Sequence, residues 1–262
     1  MILEKILRGD QGKAFRRAKR VVRAKARGLH HELCPAMYPQ PLEKPRTAED
    51  VQIPVGSGTL AGELAIPAQA RGLVIFAHGS GSNHTSPRNR QIADVLDRAD
   101  LATLLVDLLT EEEEETDART GRLRYDMTLL ASRLVAFWGW AQRRPKLQRQ
   151  PVGLFGASTG AGAALLAAAQ QPRNFRAVVA RGGRPDLAGA ALRRVLSPTL
   201  LIVGERDEQA MDINMRAAER MLTEVRLEIV AGATHFFEEP GALAQVAQLT
   251  RDWFRAHLVT GV

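Results

Sequence analysis

"GLFGASTG", residues 153–160, carries an apolar run straight into Gly156-Ala157-Ser158-Thr159-Gly160. Such a run reads as a strand buried on both faces. The small-residue stretch behind it, "TGAGAALLAAAQQ" (159–171), reads as a helix able to pack closely on a sheet. A strand that becomes a helix within so few residues needs glycine at the flanks, because a side chain there would strike neighbouring backbone. The turn would lift the Ser158 hydroxyl above the sheet edge. A Gly-x-Ser-x-Gly is moderate evidence alone, and its place between a buried strand and a helix is what strengthens it. The competing reading of Ser158 is a plain helix cap.

Working outward, strands and helices alternate. "VQIPV" (51–55) and "TLAGELAIP" (59–67) flank Gly56-Ser57-Gly58, a hairpin whose turn calls for glycine. "GLVIFAHG" (72–79) and "LATLLVDL" (101–108) are further buried strands, separated by "SPRNRQIADVLDRAD" (86–100). That segment is a helix with Ser86 expected as N-cap and Pro87 in the first helical position. A long helix is expected over 123–143. After Ser158 come "FRAVVARG" (175–182), "PTLLIVGE" (198–205) and "RLEIVAG" (226–232) as strands, with helices at "QAMDINMRAAERML" and "GALAQVAQLTRDWFRAHL". This alternation predicts an α/β fold: a mostly parallel, doubly wound sheet with right-handed crossovers and helices on both faces.

In such sheets the reactive groups gather beyond the carboxyl ends of the strands. The strand ends here offer His78-Gly79-Ser80-Gly81-Ser82, Ser158, Arg181, Glu205-Arg206-Asp207 and His235. A serine hydroxyl is a weak nucleophile until an imidazole takes its proton, and the imidazole needs a carboxylate to hold its tautomer. Ser158, Asp207 and His235 supply these groups in chain order on successive strand ends. Glu205 and Glu208 rival Asp207, whose short side chain better suits a fixed bond to an imidazole. The remaining histidines, His30, His31 and His257, have no carboxylate spacing that would make a metal site.

The 262 residues are 45% hydrophobic and 25% charged, the balance of a soluble globular chain. No apolar run is long enough to span a membrane, and the start "MILEKILRGD" lacks the pattern of a secretory signal. With Cys34 as the single cysteine, a reducing, cytoplasmic setting is expected. The net charge of +7 is concentrated: residues 1–30 hold ten Lys or Arg against Glu4 and Asp10, leaving 26 basic and 27 acidic residues beyond them. Residues 1–50 read as a basic arm closed by the proline-rich "CPAMYPQPLEKP", and residues 51–262 as the catalytic domain. Such an arm could touch an anionic surface, membrane or nucleic acid, beside a vestigial catalytic domain; a solvated, partly helical extension is the plainer reading, and nucleic acid is not the expected partner.

Gly156-Ala157-Ser158-Thr159-Gly160, "HGSGS" (78–82), "VGERD" (203–207) and "GATHFF" (232–237) resemble the α/β-hydrolase fold, and within it the dienelactone hydrolase-like family. The resemblance covers residues 51–260. It implies Ser158 as nucleophile, Asp207 as acid and His235 as base, with an oxyanion hole from the backbone N–H groups of Thr159 and Ser80. Dienelactone hydrolase itself uses a cysteine nucleophile where this chain has serine, so the resemblance implies a serine carboxylesterase acting on small-molecule esters without metal or organic cofactor. Acyl transfer to other acceptors, perhydrolysis and lactone hydrolysis use the same triad. About sixteen residues separate Arg181 from "SPTLLIVG", too few for a cap domain. Around the mouth, Asn83, His84 and Arg181 are candidate substrate-binding residues, though Asn83 and His84 could serve only to shape the turn, and a salt bridge from Arg181 to Asp186 or to an acidic-loop glutamate is the favoured alternative. The five glutamates 111–115 are expected to form a solvated, mobile segment, and a negative rim of this kind would disfavour anionic esters.

Overall fold

The computed structural model describes residues 46–56 and 58–259. The basic arm, with Cys34, His30, His31 and the proline-rich segment, lies outside the described residues, as does Ser57.

Eight strands form one sheet in the order β1-β2-β4-β3-β5-β6-β7-β8. They are β1 (Arg46–Val55), β2 (Gly58–Pro67), β3 (Leu73–Ala77), β4 (Ala102–Val106), β5 (Val152–Ala157), β6 (Phe175–Arg181), β7 (Thr199–Gly204) and β8 (Val225–Val230). The hairpin β1–β2 is antiparallel and closes with Val55 opposite Gly58, and β2 runs antiparallel to β4. From β4 to β8 every neighbouring pair is parallel. The first strand starts at Arg46, five residues earlier than the hydrophobic pattern suggests. At a sheet edge, charged residues are compatible with strand structure; Glu49 reaches Arg144 at 2.7 Å.

The described residues form six helices: α1 (Pro87–Asp97), α2 (Glu111–Thr120), α3 (Met127–Gln142), α4 (Thr159–Gln170), α5 (Glu208–Arg220) and α6 (Ala242–Leu258). The alternation of side chains along the strands divides the core in two. Leu73, Ile75 and Leu154 join Leu134 and Phe137 of α3 and Leu165 of α4 on one face. Val74, Phe76 and Phe155 join Ile92 and Leu96 of α1 and Trp253 and Phe254 of α6 on the other. Phe254 is fully buried, and its ring occupies the space above Gly153, where a Cβ would lie 2.5 Å from Cε1. Phe254→Ala is accordingly expected to cost about 3–5 kcal/mol of unfolding free energy in a urea titration.

Local chemistry sets several boundaries differently from the sequence expectation. Pro87 does open α1, but Ser86 at its N-cap makes no side-chain capping bond. The helix expected over 123–143 is split: Leu123–Tyr125 is a single 3₁₀ turn, and Asp126 then caps α3 by accepting from Leu129 N at 2.9 Å. The glutamate run is helical and largely exposed. It is the first half of α2, started by a capping box in which Thr110 Oγ1 accepts from Glu113 N while Thr110 N donates to Glu113 Oε2. Carboxylates in a first helical turn face the positive end of the helix dipole, so the charges that disfavour a loop favour this helix end. Between β6 and β7, Pro185–Arg194 forms short 3₁₀ turns broken at Gly189, and among the described residues no large cap stands over the sheet. Among the described residues no helix is long and apolar enough to cross a membrane.

Candidate active site

At the end of β5, Ser158 is the N-cap of α4 with φ 49° and ψ −120°, a conformation that a non-glycine residue rarely holds. Its flanks explain why glycine stands on both sides. A Cβ on Gly156 would lie 2.4 Å from Ala161 Cα, and one on Gly160 would lie 2.2 Å from the Ala77 carbonyl oxygen. Ser158 N donates to Arg181 O at 3.1 Å, which fixes the turn against β6. The Ser158 side chain makes no capping bond to α4. Ser158 thus occupies the N-cap position without its hydroxyl capping the helix.

Asp207 and His235 come together beside this turn. Asp207 caps α5 by accepting from Ala210 N through Oδ1 at 3.1 Å, and its Oδ2 accepts from His235 Nδ1 at 2.6 Å. With Nδ1 engaged, Nε2 is the ring nitrogen left to accept a proton. The loop carrying His235 is tied to the end of β7 by Arg206 N to Ala233 O and Glu205 N to Val230 O. Glu205 points elsewhere: its Oε2 accepts from Gly232 N at 2.8 Å. Glu208 is an exposed first-turn residue of α5. Of the three acids in "ERDE", only Asp207 reaches the imidazole. His235 in turn lies against the strand end that holds Ser158, since a Cβ on Gly182 would sit 3.4 Å from its Cε1.

The turn after β3 approaches α4 from the other side. Ser80 N donates to Thr159 Oγ1 at 3.0 Å, and the two hydroxyls are also 3.0 Å apart. Thr159 opens α4, so its own N–H has no intrahelical acceptor. His78 holds this turn in place. Its Nε2 accepts from Leu108 N at 3.1 Å while Nδ1 donates to Gly79 O at 3.0 Å, and burial pushes its pKa down, so it stays neutral. A cavity of about 270 Å³ opens here, lined by residues including Ser80, Asn83, Leu108, Glu114, Asp117, Arg124 and Thr159. It lies beside Ser158, and neither Ser158 nor His235 is among its lining residues.

The remaining candidates divide. Asn83 lines the cavity, with its Oδ1 accepting from Thr85 N and Oγ1. His84 is bound to Asp107 through both its backbone N at 2.7 Å and its Nδ1 at 2.9 Å, which braces the loop after Ser80. Arg181 makes neither expected ion pair. Asp186 takes Arg184 at 2.9 and 2.7 Å, and Glu113 takes Arg133 at 2.6 Å. The reason is parity. Arg181 shares a face with Ala177 and Val179, which turns its side chain toward Phe237 and away from the 3₁₀ turns.

Four residues around the cavity escaped the sequence reading. Asp107 and Leu108 follow β4 directly, so the strand-end rule itself pointed at them. Asp117 and Arg124 form a pair at 2.6 Å. Burial pushes the Asp117 carboxyl up, but the backbone and side-chain bonds from Arg124 outweigh this and hold it below the usual range. Glu114 is pushed the other way, first by burial and then by Asp107, Asp117 and Glu111.

Residues 70–250 match the family model for an alpha/beta hydrolase domain. A dienelactone hydrolase structure from Anabaena variabilis ATCC 29413 is 55% identical, with a TM-score of 0.79 over 81% of this chain and 99% of that one. Est1E from Butyrivibrio proteoclasticus shares the fold at 14% identity, with a TM-score of 0.68 over 80% of this chain and 99% of its own. A Mycobacterium tuberculosis (strain CDC 1551 / Oshkosh) protein provisionally named a phosphoribosyl transferase is 53% identical over 216 residues, 82% of this chain and 48% of that protein. The chain thus spans about half the length of that curated relative. An eight-stranded sheet in this order, a strained serine turn at the end of β5 and matches of this extent lead to one assignment: the chain belongs to the alpha/beta hydrolases, in their dienelactone hydrolase-like family.

Proposed function

We propose that the protein is a serine hydrolase of small carboxylic esters, with Ser158 as nucleophile, His235 as general base and acid, and Asp207 as the carboxylate that orients it. The observation that carries this reading is the 2.6 Å bond from His235 Nδ1 to Asp207, made in a loop packed against the strand end that bonds Ser158. A His–Asp pair next to a strained, uncapped serine is what acyl chemistry uses.

In the proposed reaction Ser158 Oγ attacks the ester carbonyl carbon as its proton passes to His235 Nε2. The carbonyl π electrons move onto oxygen, where the N–H groups of Thr159 and Ser80 receive the charge. Collapse breaks the bond to the alkoxide, which leaves with the proton from His235. Water then attacks the acyl-serine by the same path in reverse roles, returning acid and free enzyme. For Ser80 to take part, its N–H must exchange Thr159 Oγ1 for the substrate oxygen, at no net loss of a hydrogen bond.

Phosphoribosyl transfer is the named activity of a protein about twice as long, and it has no need of a serine set against a His–Asp pair. The single cysteine supports placing the hydrolase in the cytoplasm. The test is steady-state turnover of p-nitrophenyl esters from acetate to octanoate. Turnover with kcat/KM above about 10³ M⁻¹s⁻¹ on the short members is expected, below the usual range for natural substrates because the esters are surrogates. Hydrolysis no faster than the buffer rate on every ester would reject the proposal.

A further inference from the structure

Arg181 is a buried cation with no hydrogen-bond or ion-pair partner among the described residues. Only 8% of its surface is exposed, and its Nε and Nη1 are buried with no hydrogen-bond acceptor. No carboxylate among the described residues forms an ion pair with it. The charged group whose field it feels is another cation, Arg88, which is itself bound to Glu238 at 2.9 Å. The guanidinium carbon lies 5.8 Å from the Phe237 ring centroid, at the outer limit of a cation–π contact. Burial first, and then Arg88, bring its pKa down to about 10, so it remains charged at neutral pH. An uncompensated charge in such a place is among the costliest features a fold can carry, and an apolar side chain would fill the same space without that cost.

Its position gives the cost a use. The Arg181 carbonyl accepts the Ser158 N–H, and the following residue, Gly182 with φ 51°, has its Cα against the His235 ring. Phe237, beneath which the guanidinium lies, belongs to the His235 loop. The Arg181 backbone thus holds the turn of the proposed nucleophile, and its guanidinium reaches the loop that carries the proposed base. The cavity beside Ser158 does not include Arg181 in its lining, and its Asp117 and Arg124 pair with each other. The guanidinium of Arg181 has no such partner among the described residues.

We propose that Arg181 forms a substrate subsite for an oxyanionic group, carboxylate or phosphoryl, at the His235 loop, so that the preferred esters carry such a group a few atoms from the scissile carbonyl. The proposal rests on the ester-hydrolase reading above. It also departs from the expectation that the acidic rim turns anionic esters away: of the glutamates 111–115, Glu113 is paired with Arg133, and the anion is received away from that rim, at the His235 loop. A guanidinium held against the His235 loop offers charge-assisted hydrogen bonds that a neutral ester leaves unused.

The test compares p-nitrophenyl butyrate with p-nitrophenyl hydrogen glutarate on the full-length protein. The glutarate ester should show a kcat/KM at least about tenfold higher. Arg181→Met should lower that value by about 30-fold or more, chiefly through KM, and lower the butyrate value by at least about tenfold less, so that the preference for the glutarate ester is lost. Because an unpaired charge is removed, the melting temperature should hold or rise. Should Arg181→Met fail to fold, Arg181→Gln, which keeps N–H donors and loses the charge, carries the same comparison. Equal losses on both esters, or no loss on either, would overturn the subsite and mark Arg181 as a structural residue satisfied by water. If the wild-type protein hydrolyses neither ester, the ester reading fails and calorimetry decides the subsite separately. Monomethyl glutarate or inorganic phosphate should then bind the Ser158→Ala protein, the better binder naming the oxyanion, and lose at least about tenfold in affinity when Arg181→Met is added. Binding unaffected by Arg181→Met, or no binding of either probe, would overturn it.

Discussion

Ser158→Ala is expected to fold as the parent does and to lose ester turnover by at least about 10⁴-fold, with the remaining rate coming from the oxyanion donors alone. The size of the loss follows from the role proposed for Oγ, which forms the covalent bond in the first step. The intact fold follows from the structure, because the Ser158 side chain caps nothing and its backbone is held by the N–H bond to Arg181. Burst and steady-state kinetics with p-nitrophenyl butyrate, next to a thermal melt, check both halves. Turnover within tenfold of the parent, at an unchanged melting temperature, would remove Ser158 from the mechanism.

The second large effect is expected at Asp207. Asp207→Asn retains an oxygen to accept from Ala210 N, so α5 keeps its cap, but the amide cannot hold His235 in the tautomer that leaves Nε2 free. A loss of about 10⁴-fold in kcat is the expectation. Glu205→Gln is the matched control. Its side-chain oxygen can still accept from Gly232 N, and it has no bond to the imidazole, so its loss should stay within about tenfold. The reverse ranking would move the acid to Glu205. Thr159→Val offers a smaller companion test: it removes the hydroxyl that holds Ser80 N at 3.0 Å and should change kcat by about tenfold or less, without loss of the fold.

Much of this architecture was legible because it is written in local chemistry. Gly156 and Gly160 announce the turn since no other residue fits beneath Ala161 and Ala77, and the continuous apolar runs of β3, β4 and β5 announce a sheet covered on both faces. The strand order was not legible. Alternation of strands and helices says that neighbours are parallel, yet nothing within "LATLLVDL" says that β4 inserts between β2 and β3. The glutamate helix was misread by weighing charge repulsion and overlooking Thr110-x-x-Glu113, a capping signal present in the sequence. At the site, Ser158, Asp207 and His235 stand where strand ends place them. His84 and Arg181 depend on long-range packing: His84 on Asp107, 23 residues away, and Arg181 on a strand parity that faces it to Phe237. Such pairings are properties of the assembled sheet and have no local signature.

The central claim is a covalent acyl-serine, and trapping it is the most direct test. Acid-quenched samples of the protein turning over p-nitrophenyl butyrate, digested and read by tandem mass spectrometry, should show one butyryl group on the peptide containing Ser158 and on that residue. They should show none in the Ser158→Ala protein. A butyryl group on any other side chain in the active wild-type protein, or turnover with no acylated residue under conditions where Asp207→Asn slows deacylation, would contradict the account.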